Sequence, residues 1–231
     1  MLDFRKFAVL TFDCYGTMID WESGIFSALR PILKAYRKEL TDAELLQLYA
    51  ELELDAEQKD YLVYRDVLNF VVQGFGTRLG FAPTDIQARS LADSIARWQP
   101  FPDTVGALQR LKTKYQLAVI SNIDDDLFAQ TAPKLGVKFD ALITAQQARC
   151  YKPCRRIFEM AQQRIGVDGE RWLHVGQSIY HDVIPAQALG IATAWVNRPS
   201  PRAGAGATKA VSGKPDVEVK SLAALAELVE V

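Results

Sequence analysis

The chain has 231 residues, 27 Lys and Arg against 28 Asp and Glu, 49% hydrophobic residues and a formal net charge of -1. That length and apolar content fit one large domain, or a core with a smaller insertion, and the balanced charge excludes a general nucleic-acid or membrane-surface binder. No apolar run approaches the roughly 20 residues that span a bilayer, and no signal peptide precedes the first strand, so the expected location is the cytoplasm.

The run Ala8–Phe12 reads as a buried strand, and it ends on Asp13-Cys14-Tyr15-Gly16-Thr17. In an open α/β sheet, ligands bind beyond the carboxyl ends of the strands, so Asp13 stands where chemistry is expected. Alternation along an extended chain points Cys14 away from Asp13, into packing. With Cys150 and Cys154 it forms no Cys-x-x-Cys or zinc pattern, and free thiols are expected.

From about Trp21 to Trp98 the pattern is helical, with stretches at 24–40, 42–54, 58–79 and 85–98. Thr41 or Asp42 and Thr84 or Asp85 are the N-cap candidates, and Gly80 is a stop. Thereafter strands and helices alternate. Strands are predicted at Leu117–Ile120, Ala141–Thr144, Trp172–Val175, Ala192–Val196 and Val217–Val219. Helices are predicted at 104–114, 126–135, 155–165, 182–189 and 222–228. This alternation predicts an α/β fold, a parallel sheet covered on both faces. Residues 1–20 and 99–231 form the expected core, and 21–98 an α-helical cap placed over the mouth of the sheet. Ser200–Pro215, rich in Gly, Ala, Pro and Lys, reads as a mobile surface loop.

Four strand-end loops carry the candidate groups: Asp13; Ser121 with Asn122; Lys152; and Asp182 in Gly176-Gln177-Ser178-Ile179-Tyr180-His181-Asp182. A carboxylate held in line with an electrophilic carbon or phosphorus is a nucleophile, and an ammonium beside it is expected to keep it ionised and lower its pKa. Thr17, Ser121 and Asn122 offer donors to an anionic group. His174 reads as a satisfied core histidine, whereas His181 lies near the site as a candidate contact to substrate or water. Asp124-Asp125-Asp126 lacks calcium-loop spacing, and helix N-terminal charge accounts for part of it.

In order and spacing these loops resemble the four motifs of the haloacid dehalogenase superfamily, over essentially the whole chain. The resemblance implies a Rossmann-like core, a cap after the first motif, Asp13 as nucleophile, Ser121 holding the bound group, and Lys152 stabilising the carboxylate. Phosphatases of the superfamily carry a second Asp where this chain has Tyr15, and Gly-Asp where it has Gly176-Gln177. A phenol with an unperturbed pKa near 10 is a poor leaving-group acid, and Mg²⁺ prefers charged oxygen ligands. No cofactor and no metal are therefore expected, with weak Mg²⁺ use at Asp13 and Asp182 as the residual option.

The first motif instead resembles that of the L-2-haloacid dehalogenases, in which Asp displaces halide from a short 2-halo acid, with inversion, and water cleaves the ester to a 2-hydroxy acid. This makes Asp13, Lys152 and Asp182 the expected catalytic residues. Tyr15, Thr17, Ser121, Asn122, Gln177 and Ser178 become the expected substrate-binding residues. Arg65, Phe158 and His181 are further candidates, since the cap arginine of those enzymes has no clean match and their Tyr six residues after the lysine is Phe158 here. The partner is a small molecule, with a homodimer left open. Two alternatives stand beside this reading: a small-molecule phosphatase with weak Mg²⁺ use, and a non-catalytic protein binding a small acid or a partner.

Overall fold

Short apolar runs bounded by turn-forming residues build a parallel sheet, because strands buried on both faces need no alternation. The computed structural model describes residues 2–58, 60–199, 207–208 and 211–229. The segment Ser200–Pro215 lies largely outside them. Among the described residues the strands are β1 (Val9–Phe12), β2 (Gln116–Ser121), β3 (Ala141–Thr144), β4 (Trp172–Gly176), β5 (Ala192–Val196) and β6 (Val217–Val219), in the order β3-β2-β1-β4-β5-β6. All pairs are parallel, with Val9 opposite Gln116 on one side and Trp172 on the other. Every residue of β1 and β4 is buried, which is why both read as near-continuous apolar runs. The chain winds outward to β3 and returns to β4, so the β1–β4 gap is the switch point where such sheets bind ligands.

Between β1 and β2 the chain inserts α1 (Trp21–Ala35), α2 (Asp42–Glu57), α3 (Tyr64–Leu79) and α4 (Asp85–Ser94) before α5 (Thr104–Lys112). Thr41 and Thr84, rather than the Asp after each, cap α2 and α4 in reciprocal boxes with Glu44 and Gln87. Each such cap contributes about 1 kcal/mol. Gly80 ends α3 at φ 70°, a left-handed conformation that costs glycine least. The two chain connections to this insertion run side by side: the Asp20 N–H donates to the Gln99 carbonyl (2.9 Å) and the Phe101 N–H to that of Met18 (3.0 Å). The Trp98 indole lies directly on Gly24, where an added Cβ would stand 2.4 Å from the ring.

Helix α3 starts six residues later than the sequence pattern predicts, and its cap comes from elsewhere. Val63 provides no capping side chain. The carboxylate of Asp124, beyond β2, instead accepts from the N–H groups of Tyr64 (2.8 Å) and Arg65 (2.9 Å). Asp124 stands immediately before α6 (Asp125–Thr131), yet its side chain caps α3 across the fold. The remaining helices are α7 (Ala145–Ala148), α8 (Arg155–Ile165), α9 (Ile184–Gln187) and α10 (Leu222–Leu228). Where one helix was expected at 182–189, a π-type turn over Ile179–Val183 precedes α9. No described helix is long and apolar enough to cross a membrane.

Candidate active site

Lys152 is 2% exposed, and its three N–H donors are all used. They reach Asp13 Oδ1 (2.8 Å), Asp182 Oδ1 (2.6 Å) and the Ile120 carbonyl (3.0 Å). Three loops beyond the β1, β3 and β4 ends of the sheet thus meet at one ammonium. Burial works to lower the Lys152 pKa, but the two carboxylates hold it above its usual range. Burial likewise works to raise Asp182, but Lys152 and His174 hold it well below the usual carboxylate range. Asp13 departs from the expectation that Lys152 sets it low. Burial raises it, Asp182 adds to the rise, and Lys152 and Thr17 only partly oppose them.

Each Asp13 oxygen has a fixed donor. Thr17 Oγ1 donates to Oδ2 (2.8 Å) while accepting from the Gln177 N–H (2.9 Å), so β4's loop orients the carboxylate through Thr17. Asp182 is pressed onto the sheet: a Cβ at Gly176 would lie 2.4 Å from its Cγ, so only glycine admits it. The wider π-type turn carries Asp182 to that contact, and the Ser178 N–H donates to its Oδ2 (3.1 Å). Behind it runs a buried polar chain. Trp172 Nε1 donates to Thr11 Oγ1 (2.6 Å), Thr11 Oγ1 lies 2.8 Å from His174 Nδ1, and His174 Nε2 lies 3.2 Å from Asp182 Oδ1. The one arrangement that uses every proton has Thr11 donating to Nδ1 and Nε2–H donating to Asp182, a tautomer assigned from the network. His174 is therefore the satisfied core histidine expected, and it also braces a site carboxylate.

Asp13, Tyr15, Ser121, Asn122, Lys152, Gln177, Ser178, His181 and Asp182 all border one small cavity of about 40 Å³. The Ser121 hydroxyl is buried there with no hydrogen-bond partner. Asn122 has its side-chain amide committed to the Lys152 backbone, accepting from its N–H (2.6 Å) and donating to its carbonyl (3.2 Å). The Tyr15 hydroxyl pairs with Thr131 Oγ1 (2.9 Å), its ring is edge-on to Trp98, and burial pushes its pKa far up. Cys14 is fully buried and free, outside the cavity wall.

Three candidates do not reach the cavity: Thr17, fully buried, touches it only through Asp13, and Phe158 and Arg65 lie elsewhere. Phe158 is fully buried in the core, edge-on to the His174 ring at 5.1 Å. Arg65 turns outward to Asp126 (2.6 Å) and Asp93 (3.6 Å). The sequence reading also missed residues that do line it: Trp21, Glu53, Glu57, Tyr64 and Thr208. One signal pointed to Glu53. It falls on the stripe Leu45, Leu46, Tyr49, Ala56 that α2 buries, where a carboxyl is out of place. It accepts from the hydroxyls of Tyr49 (2.8 Å) and Tyr64 (2.5 Å), and burial pushes it up to about 7.

The fold and this cluster define an α/β protein of parallel-sheet type whose site ties a strand-end aspartate to a buried lysine. The model of the haloacid dehalogenase-like hydrolases matches residues 7–190, and the chain belongs to that family. It is 28% identical over 232 residues to an (S)-2-haloacid dehalogenase of Pseudomonas sp. (strain YL), spanning 96% of this chain and 94% of that one. It is 32% identical over 161 residues to a glyceraldehyde 3-phosphate phosphatase of Methanothermobacter thermautotrophicus, spanning 68% and 70%. The crystal structure of a defluorinating L-2-haloacid dehalogenase superposes with a TM-score of 0.80 at 22% identity, over 97% of this chain and 96% of that chain. That likeness shows the shared fold.

Proposed function

We propose that this chain is a 2-haloacid dehalogenase-type hydrolase working without a metal, with residues 21–98 as the cap. An Asp13 oxygen attacks C2 of a short 2-haloalkanoic acid, the O–C2 bond forms, and halide leaves with the C–X electron pair. Water then adds to the Asp13 Cγ, the ester C–O bond breaks, and the 2-hydroxy acid departs with a proton taken from that water. Asp13 is returned carrying one oxygen from solvent. Lys152 screens the carboxylates, Thr17 and Gln177 hold the attacking group in line, and Asp182 with Ser178 borders the space for the hydrolytic water. Asp182, held ionised and well below the usual carboxylate range by Lys152 and His174, is too weak a base to carry that proton away and serves to orient the water and balance the Lys152 charge.

The observation that carries the reading is Tyr15. Where a phosphatase needs an acid for its leaving oxygen, this chain holds a half-buried phenol tied to Thr131. Halide leaves without a proton, so the chemistry needs nothing from that position. The similarity to a phosphatase keeps phosphate ester cleavage as the second reading. Among the described residues no group of three His, Cys, Asp or Glu side chains is placed to hold a metal, and Tyr15 and Gln177 offer no charged oxygen in place of the carboxylates of the magnesium enzymes.

The test is a single turnover of 2-chloropropionate in ¹⁸O water, with halide release followed and the Asp13 peptide weighed. Label in Asp13 and halide release unaffected by chelator support the ester route. Label in product alone refutes it, and chelator-sensitive phosphate release from phosphate esters favours the second reading.

A further inference from the structure

Two carboxyl groups that the displacement scheme leaves unused face the same cavity from α2. Glu53 and Glu57 are one turn apart and so adjacent on one helix face. Among the described residues, four carboxyls, of Asp13, Asp182, Glu53 and Glu57, stand around the cavity against the one ammonium of Lys152. Lys152 has no N–H left for a ligand. Among the described residues no arginine lines the cavity, and Arg65 is engaged outside. A simple haloalkanoate would carry its negative charge into this acidic space. The Ser121 hydroxyl, 1% exposed and without a partner, provides an unused donor on the core wall. The insertion's wall presents instead the two glutamates and the rings of Trp21 and Tyr64. Carboxylates beside aromatic faces form the environment that organic ammonium ions prefer. Glu57 also lines an adjoining cavity of about 350 Å³, so it stands where a side chain longer than a methyl group would pass outward.

Resting on the dehalogenase reading, we propose that the substrate is a 2-halo acid whose side chain ends in an ammonium group, with its carboxylate toward Ser121 and its cation between Glu53 and Glu57. The glutamates thereby set specificity for the chain end, while Asp13 acts on C2. Burial raises both glutamates, and the charge of Glu53 raises Glu57 further. An arriving cation therefore displaces a proton from the pair, and binding is accompanied by proton release.

The experiment uses the full chain and unreactive probes. Calorimetry near neutral pH compares n-propylammonium, propionate and propionamide, in buffers of different ionisation heat. Propylammonium is expected to bind at least roughly tenfold more tightly than the other two, with proton release, and Glu57→Gln to remove about that factor. Glu57→Lys should reverse the order toward propionate, which guards against a variant that merely binds poorly. Halide release from 4-amino-2-chlorobutanoate should exceed that from 2-chlorobutanoate about tenfold in kcat/KM, with the ratio near one in Glu57→Gln. Equal binding of the three probes, or a preference unchanged by Glu57→Gln, overturns the proposal. Selective ammonium binding with no halide from either acid overturns the dehalogenase reading and leaves the cation site standing.

Discussion

Glu53→Gln makes the protonation of the α2 carboxyl measurable as folding stability. With a folded pKa of about 7 against 4.5 when exposed, Glu53 keeps its proton in the folded chain over a range where the unfolded chain has lost it. The folded state then binds more protons, so stability falls as pH rises through that range. The full difference of about 2.5 units corresponds to about 3 kcal/mol, present below about pH 4.5 and lost above about pH 7. Glutamine keeps an oxygen to accept from Tyr49 and Tyr64, so the variant preserves shape while removing the titration. Urea unfolding of both proteins between about pH 5 and pH 8 is the assay. The stability of wild type minus variant should fall by about 2.5 kcal/mol across the series, the remainder being lost below about pH 5. Two curves that run parallel over the whole range would refute the claim that Glu53 is buried with its proton.

Other predictions follow from the same geometry. Lys152→Met leaves Asp13 and Asp182 buried without their shared cation; halide release should vanish and stability drop by about 3–5 kcal/mol in urea unfolding. His174→Phe removes the hydrogen bond to Asp182 and strands Thr11; kcat for halide release should fall roughly tenfold with KM little changed, and stability by about 1–3 kcal/mol. Arg65→Ala breaks only exposed ion pairs, so halide release should change less than about threefold and stability by less than about 1 kcal/mol.

The sheet was legible because β1, β2 and β4 are nearly wholly buried, and burial on both faces writes itself as a run of apolar residues. The candidate residues at the strand ends were legible for a related reason: polar residues directly after such runs must lie at one edge of the sheet. Contacts made at long range were not. The start of α3 depends on Asp124, some 60 residues away, and no local pattern reports a cap supplied by another layer. Where a helix was expected to begin at Asp182, the pull of Lys152 and the space at Gly176 favour a wider turn. Glu53 betrays itself by interrupting the buried stripe of α2, whereas Glu57 gains its place only when α2 is laid over the cavity. Arg65 failed in the opposite direction, a charge near the insertion's inner edge that finds partners outside.

The capping of α3 by Asp124 has a kinetic consequence. Lifting the helical insertion from the sheet strips α3 of its first-turn partner and leaves a buried carboxylate without its two donors, so partial opening gains little. Tyr151, next to the site lysine, holds the Leu62 carbonyl just ahead of the same helix at 2.8 Å and would let go in the same step. Such a latch releases as a unit. Asp124→Ala is therefore expected to speed any opening of the insertion, read as faster hydrogen exchange at the first turn of α3.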